Sequence, residues 1–165
     1  MLPCQPPISY EMMLEDVTTD KSHNLKTREI FFIDDDQEEL GIFTMAMKDI
    51  NTPINIKYAK SGDDLFKLLE QSLPDLLFLD LHLPGRSGIT CLKMLRYDKK
   101  YDAIPIIIYS KLSTDFLVND CYRAKANYYL VKPVSVGKLK AAIKKIIDTN
   151  WDSKQSASFE NFIIR

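Results

Sequence analysis

Four apolar segments of this chain each end in a side chain that can take part in chemistry. The side chains are three carboxylates, a hydroxyl and an amine: Asp34, Asp35, Asp80, Ser110 and Lys132. Asp80 follows four consecutive apolar residues with turn signals on both sides, a pattern typical of a strand buried on both faces of a parallel sheet. The carboxyl ends of parallel strands share one edge, where open α/β sheets bind ligands. We therefore expect these side chains to converge on one crevice.

Three carboxylates in one crevice require a counter-charge. At a separation of about 4 Å and an effective dielectric of about 20, each pair of like charges costs roughly 4 kcal/mol. Lys132 and one divalent cation together balance the three negative charges, and Mg²⁺ suits the oxygen ligands because it keeps waters that a phosphoryl oxygen can replace. An acidic cluster with a lysine, a hydroxyl and Mg²⁺ indicates phosphoryl transfer, in which one carboxylate is the nucleophile and becomes an acyl phosphate.

Five strands and five helices are predicted to position these residues. Apolar or β-branched runs predict strands at residues 30–33, 54–58, 76–79, 104–110 and 128–131. Apolar residues at helical spacing follow each strand, at residues 40–50, 61–69, 88–95, 113–124 and 136–147. This alternation predicts an α/β fold, a doubly wound five-stranded parallel sheet with five flanking helices.

The chain is long enough for one domain with a tail at each end. Residues 28–149 form the predicted domain, between an irregular arm at 1–27 and a polar tail at 150–165. The tail includes Phe162, Ile163 and Ile164, which could fold back on the domain or bind something. With 165 residues, 45% of them apolar, and a net charge of −1, the composition is that of a soluble protein without a nucleic-acid partner.

The lack of recognisable targeting signals and the spacing of the cysteines indicate a cytoplasmic setting. No apolar run is long enough to cross a bilayer, and the first residues lack the pattern of a signal peptide, so no membrane partner is expected. Cys4, Cys91 and Cys121 are widely spaced and predict neither a disulfide nor a zinc site. A reducing compartment, the cytoplasm, is therefore expected.

The order and spacing of the motifs resemble the response-regulator receiver domain of two-component signalling. The matching residues are Ile33-Asp34-Asp35, Asp80 with Pro84 and Gly88 behind it, Ser110, and Lys132-Pro133. The intervals agree as well, with 45 residues from Asp35 to Asp80, 30 more to Ser110 and 22 more to Lys132. The resemblance covers about residues 28–148 and implies a chemotaxis-type, single-domain response regulator with the flavodoxin-like strand order 2-1-3-4-5.

This resemblance implies a role for each acidic residue. Asp80 would accept a phosphoryl group from the phosphohistidine of a sensor histidine kinase or from a phosphotransfer protein. Asp34, Asp35, Asp80 and the backbone carbonyl of His82 would hold Mg²⁺. Asp36 extends the acidic run, but its position predicts the cap of the first helix.

The resemblance also implies roles for the residues of the last two strands. Lys132 would pair with a phosphoryl oxygen, and Pro133 would follow it through a cis peptide bond, which is cheap only before proline. Ser110 would turn to hydrogen-bond the phosphoryl group. Tyr129 would be the switch aromatic that follows this movement.

Three residues near the predicted phosphoryl site would modulate its lifetime. His82 and Leu112 lie two positions beyond Asp80 and Ser110, where the family tunes that lifetime. Lys111 occupies a position that is usually small in the family. Its side chain would either stabilise the added charge or obstruct the histidine of the kinase.

Three functions compete for this arrangement. The favoured one is a signalling module that catalyses only its own phosphorylation and dephosphorylation and signals through the face made by the fourth helix, fifth strand and fifth helix, or by relay to another phosphohistidine domain. The alternative is a phosphate-independent, receiver-like binding module in which Lys111 stands in for a phosphoryl or metal charge. A haloacid-dehalogenase-type phosphatase is disfavoured, because it requires a second aspartate where this chain has His82.

Overall fold

One parallel sheet organises the chain, seen in a computed structural model that describes residues 27–48, 50–151 and 157–165. The strand order is β2-β1-β3-β4-β5-β6, with every neighbouring pair parallel. The strands are β1 Arg28–Ile33, β2 Ile54–Ala59, β3 Leu76–Leu79, β4 Ile106–Ser110, β5 Tyr128–Val131 and β6 Ile163–Ile164. The predicted order 2-1-3-4-5 is confirmed, and a sixth strand extends the sheet beyond β5.

Helices cover both faces of the sheet. They are α1 Gln37–Met47, α2 Gly62–Gln71, α3 Gly88–Tyr97, α4 Asp115–Arg123, α5 Val136–Ile147 and α6 Phe159–Phe162, with a 3₁₀ turn at Lys99–Tyr101. Alternate residues of each strand enter two separate cores, so that Phe31 and Ile33 pack against α2, α3 and α4, while Ile30 and Phe32 pack against α1 and α5. Both faces are therefore buried, which explains the continuous apolar runs of the central strands.

Side-chain caps explain where the first five helices begin. Each N-cap side chain accepts a backbone N–H of its helix: Asp36, Ser61, Ser87, Thr114 and Ser135. The prediction that Asp36 caps α1 is confirmed, because its carboxylate accepts the N–H of Glu38 at 2.9 Å. Caps of this kind contribute about 1 kcal/mol each, and they fix where each helix starts relative to the preceding strand.

Gly88 is required by a close backbone approach behind β3. A Cβ atom built on Gly88 would lie 1.9 Å from the carbonyl oxygen of Asp80, and the N–H of Gly88 donates to the carbonyl of Leu81 at 3.0 Å. Any larger residue would displace this backbone. The glycine therefore positions the loop that follows Asp80.

The sixth strand lies in a part of the chain that the sequence predicted to be a polar tail. Phe162 and Ile164 are buried against the sheet edge, and this apolar burial outweighs the polar character of the preceding residues. The predicted arm at 1–27 lies outside the described residues apart from Thr27. Within the described ranges, no helix has the length and apolar character needed to cross a bilayer.

Candidate functional site

Three carboxylates meet at the carboxyl edge of the sheet. Asp34 and Asp35 follow β1, Asp80 follows β3, and one oxygen from each carboxylate lies within 4.8 Å of the other two. The N–H of Asp80 donates to the carbonyl of Ile33 at 2.9 Å, which aligns the two strand ends. Asp34 and Asp80 are buried and Asp35 is exposed, so the cluster is open to solvent on one side.

Lys132 joins two of these carboxylates from the end of β5. Its Nζ lies 2.6 Å from Oδ2 of Asp34 and 3.2 Å from Oδ2 of Asp80, and its side chain is almost fully buried. The ammonium also lies 5.0 Å from the ring centroid of Tyr109. The N–H of Lys132 donates to the carbonyl of Ser110 at 2.9 Å, so the ends of β4 and β5 are bonded to each other. Lys132 is thus fixed as the central cation of the cluster.

The remaining predicted residues form the walls of one pocket. Its volume is about 350 Å³. The residues that line it come from the ends of four strands: Asp34, Asp35, Asp36, Asp80, His82, Ser110, Lys111, Leu112 and Lys132. The N–H of His82 donates to Oδ1 of Asp80 at 3.2 Å, and the N–H of Leu112 donates to the hydroxyl of Ser110 at 3.3 Å. The structure therefore brings every predicted metal-binding, acceptor and modulating residue to one place.

A further carboxylate, Glu39, contacts both lysines of the pocket and was missed by the sequence reasoning. It is buried on α1, where Oε1 lies 2.8 Å from Nζ of Lys111 and 3.9 Å from Nζ of Lys132. The hydroxyl of Tyr109 donates to Oε2 at 3.4 Å. The signal was helical spacing, because Glu39 lies one turn before Phe43, which is one of the apolar residues at helical spacing that predict α1.

Burial and charge act in opposite directions on the titration of this cluster. Burial alone would lower the pKa of Lys132, but the hydrogen bond to Asp34 and the charges of Asp80, Asp34 and Glu39 raise it overall. Burial raises the pKa of Asp34, and the hydrogen bond from Lys132 opposes that rise. The pKa of Lys111 is raised, chiefly by its hydrogen bond to Glu39. Both lysines therefore remain charged at neutral pH.

The acidic cluster fits a divalent cation. Five carboxylates and two lysines lie in or against the pocket, which leaves three negative charges: Asp34, Asp35, Asp36, Asp80 and Glu39 against Lys111 and Lys132. The mutually close oxygens of the three aspartates are hard ligands of the kind that Mg²⁺ prefers. One open side leaves space for the waters that Mg²⁺ retains. The charge and the ligand type both fit the predicted ion.

Tyr129 lies behind the pocket and contacts it through the loop after β4. Its ring is buried, and its hydroxyl donates to the backbone carbonyl of Leu112. Burial raises the pKa of Tyr129 to about 12, so the hydroxyl keeps its proton.

The cis peptide bond that the family resemblance implied before Pro133 is wrong. No peptide bond is cis among the described residues, so Pro133 follows Lys132 through a trans bond. The two isomers before proline differ by only about 1 kcal/mol, so the surrounding chain selects between them.

Comparison with known proteins agrees with this geometry. The family model described as the response regulator receiver domain matches residues 30–144, more than half of the chain. The chain belongs to the response-regulator receiver domain family. Receiver domains are signalling modules of two-component systems rather than general enzymes; they bind Mg²⁺ in an acidic pocket and interact with histidine kinases and downstream targets.

Individual relatives extend the comparison. This receiver domain is 36% identical over 107 residues to the transcriptional regulatory protein AfsQ1 of Streptomyces coelicolor, covering 64% of this chain but only 46% of that regulator's length. It is 26% identical to the chemotaxis protein CheY of Pseudomonas aeruginosa, covering 72% of this chain and 95% of CheY. The phosphorylated cyanobacterial phytochrome response regulator RcpA has the same fold, with a TM-score of 0.70 and 24% identity, covering 78% of this chain and 96% of RcpA.

Proposed function

We propose that this receiver domain accepts a phosphoryl group on Asp80 from the phosphohistidine of a sensor histidine kinase or a phosphotransfer protein. The observation that carries the proposal is the position of Lys132, whose Nζ lies 2.6 Å from Asp34 and 3.2 Å from Asp80. The ammonium of Lys132 is already held beside Asp80 by the two carboxylates. It can therefore bind an oxygen of a phosphoryl group added to Asp80 without first being moved into place.

Asp34, Asp35, Asp80 and the backbone carbonyl of His82 would hold Mg²⁺. The bound ion would supply positive charge that stabilises the phosphoryl oxygens. The three carboxylates support this assignment, since their oxygens lie within 4.8 Å of one another.

In the proposed transfer, an oxygen of Asp80 bonds to phosphorus while the phosphorus–nitrogen bond of the donor breaks and the imidazole leaves with the electron pair. Lys132 binds one phosphoryl oxygen. Ser110 gives up the N–H of Leu112, now 3.3 Å from its hydroxyl oxygen, and donates its own hydroxyl to another phosphoryl oxygen. Tyr129 responds because its hydroxyl donates to the same Leu112.

Dephosphorylation is a separate hydrolysis step, in which water attacks phosphorus, the carboxylate of Asp80 leaves and inorganic phosphate is released. His82, Lys111 and Leu112 line the pocket around Asp80 and would set the rate at which this water enters. The domain thus catalyses only its own phosphorylation and dephosphorylation and turns over no other substrate.

The phosphorylated domain signals through protein contacts on the face formed by α4, β5 and α5. Tyr129, which links that face to the pocket through Leu112, supports this assignment. We propose the cytoplasm as the location, because buried Cys91 and Cys121 are both free thiols, as expected in a reducing compartment.

Phosphorylation with a small phosphodonor tests the proposal. Intact-mass spectrometry of the protein with Mg²⁺ and acetyl phosphate is expected to detect one acid-stable, base-labile phosphoryl group, which the substitution Asp80→Asn removes. Asp63→Asn is the matched control, because that exposed carboxylate pairs with Arg86 outside the pocket. A protein that acquires no adduct, or whose adduct survives Asp80→Asn, would contradict the proposal and favour the phosphate-independent binding module.

A further inference from the structure

An apolar groove, which we call the α2–α3 groove, opens on the outer side of α2 and α3. Its volume is about 510 Å³, within the range of roughly 300–1,000 Å³ that is typical of pockets enclosing a small ligand. The rings of Phe66, Tyr97 and Tyr101 and the side chain of Met94 line it. Tyr97 is 91% exposed and Met94 is 42% exposed. An exposed apolar patch of this kind indicates an interaction surface.

Lysines dominate the charge at the rim of the α2–α3 groove. The end of α3 and the 3₁₀ turn that follows it expose Lys93, Lys99 and Lys100 but only one acidic side chain, Asp98. Lys93 lines the groove and also pairs with Asp120 at 3.0 Å. The Nζ of Lys100 lies 4.5 Å from the ring centroid of Tyr101. The groove therefore fits a segment that combines apolar side chains with negative charge.

The amino-terminal arm of the same chain contains a segment with this composition. Residues 8–17 have the sequence ISYEMMLEDV, with six apolar side chains, three acidic ones and no basic one. This segment is tethered to the domain, and a tethered segment has an effective concentration of about millimolar near any site within its reach. The arm is thus favoured over a separate partner of the same composition, provided that it can reach the groove.

The distance from the arm to the groove is short enough for this contact. Thr27 precedes β1 at the amino edge of the sheet, and the end of α3 lies near the start of β4 at the same edge. Because only β3 separates β1 from β4, their starts are about 10 Å apart, and the outer side of α3 lies about one helix diameter, roughly 10–12 Å, beyond the sheet. Residues 18–26 can span up to about 30 Å when fully extended. Residues 8–17 can therefore reach the groove.

We propose that residues 8–17 dock in the α2–α3 groove of their own chain. Their apolar side chains cover the rings of Phe66, Tyr97 and Tyr101, and their acidic side chains lie toward Lys93 and Lys100. Removing these rings from water supplies the attraction, and the lysines select an acidic segment over a basic one. The residues that line the groove differ from those that line the acidic pocket, so this inference does not depend on phosphorylation of Asp80.

Paramagnetic broadening of NMR signals in the full chain tests the proposal. A nitroxide coupled to Cys4 marks the arm, since the other two cysteines, Cys91 and Cys121, are buried. We expect the amide signals of residues 93–101 to lose most of their intensity, whereas those of α5, on the opposite face of the sheet, keep theirs. Tyr97→Asp places a charge in the groove and should restore the lost signals. Broadening that is absent, uniform over the surface or unchanged in Tyr97→Asp would overturn the proposal.

Two controls accompany this measurement. Phe116→Asp changes a phenylalanine that is 78% exposed on α4, and it should leave the broadening as in the wild type. A mixture of the spin-labelled chain with a ¹⁵N-labelled Cys4→Ser chain distinguishes the chain's own arm from that of a second copy. We expect no broadening in the ¹⁵N-labelled chain. Broadening there would assign the groove to the arm of a second copy and overturn docking within one chain.

A fluorescent peptide of residues 6–19 measures the competition directly. The double substitution Tyr10→Asp and Met13→Asp in the full chain should release the arm from the groove. We expect this variant to bind the wild-type peptide about tenfold more tightly than the wild-type protein does, because the tethered arm no longer competes. Equal affinity, or no binding to either protein, would overturn the proposal. Asp80→Asn should bind the peptide as the wild type does, so a failure of the phosphorylation test would leave this inference standing.

Discussion

Two partly or fully buried cations have contrasting surroundings at opposite edges of the sheet. Lys132, at the carboxyl edge, lies among the carboxylates of Asp34, Asp80 and Glu39. Arg96, at the end of α3, instead donates to uncharged oxygens that precede β4 and β5. These acceptors are the carbonyls of Tyr101, Ile104 and Lys125 and the side chain of Asn127, at 2.9 to 3.2 Å.

The pKa values of the two cations shift in opposite directions. Burial lowers the pKa of Arg96, and only the charge of Asp102 opposes that shift. The surrounding carboxylates raise the pKa of Lys132 despite its burial. The guanidinium of Arg96 is matched to its acceptors and needs no further ligand, so its role is structural. The pocket around Lys132 keeps excess negative charge, so it has the capacity to bind a metal ion and a phosphoryl group.

The largest expected effect comes from removing the cation of the acidic pocket. Lys132→Met leaves buried Asp34 and Asp80 without their ion-pair partner, and we expect a loss of about 3 to 4 kcal/mol in the free energy of unfolding. Mg²⁺ should stabilise this variant more than the wild type, because the pocket has become more negative. Urea denaturation with Mg²⁺ or with EDTA measures both effects. Equal stabilisation of the two proteins by Mg²⁺ would contradict the metal assignment.

A somewhat smaller loss is expected at the opposite edge. Arg96→Met leaves three carbonyls and the side chain of Asn127 with fewer donors, and we expect a loss of about 2 to 3 kcal/mol that Mg²⁺ does not restore. The same denaturation experiment measures it, with exposed Arg123→Met as the control. Phosphorylation of the folded Arg96→Met protein should equal that of the wild type. If the folded Arg96→Met protein were no longer phosphorylated, the Arg96 site and the acidic pocket would be coupled across the sheet.

The smallest expected effect concerns the ion pair at the rim of the pocket. Lys111 is 69% exposed, so its pair with Glu39 contributes at most about 0.5 kcal/mol to stability. Glu39→Gln should instead change the phosphoryl lifetime, lengthening it about twofold to fivefold, because Lys111 becomes free to approach the added charge. In a Lys111→Met background, Glu39→Gln should have no such effect. A lifetime that changes equally in both backgrounds would assign the effect to Glu39 itself.

Much of the site could be predicted because its signals are local. Each apolar run ends at a residue that the strand direction carries to one edge, so the positions of Asp34, Asp80, Ser110 and Lys132 followed from the order of strands and helices. The N-cap of α1 at Asp36 could also be predicted from the local sequence, because a cap side chain bonds to the first turn of its own helix. Glu39 was harder to predict, because acidic residues are common in a first helical turn and only its spacing of one turn from Phe43 indicated that it faces inward.

The sequence by itself determined the alternation of strands and helices, the strand order implied by the family resemblance, and the residues at the strand ends. Only the tertiary structure decided that residues 163–164 form a sixth strand, that Phe162 contacts Tyr129, and that Lys111 pairs with Glu39. The reason is the range of the interactions. Periodicity and caps depend on neighbours within about one helical turn, whereas a two-residue strand and a rim ion pair exist only because distant segments already hold their partners in place.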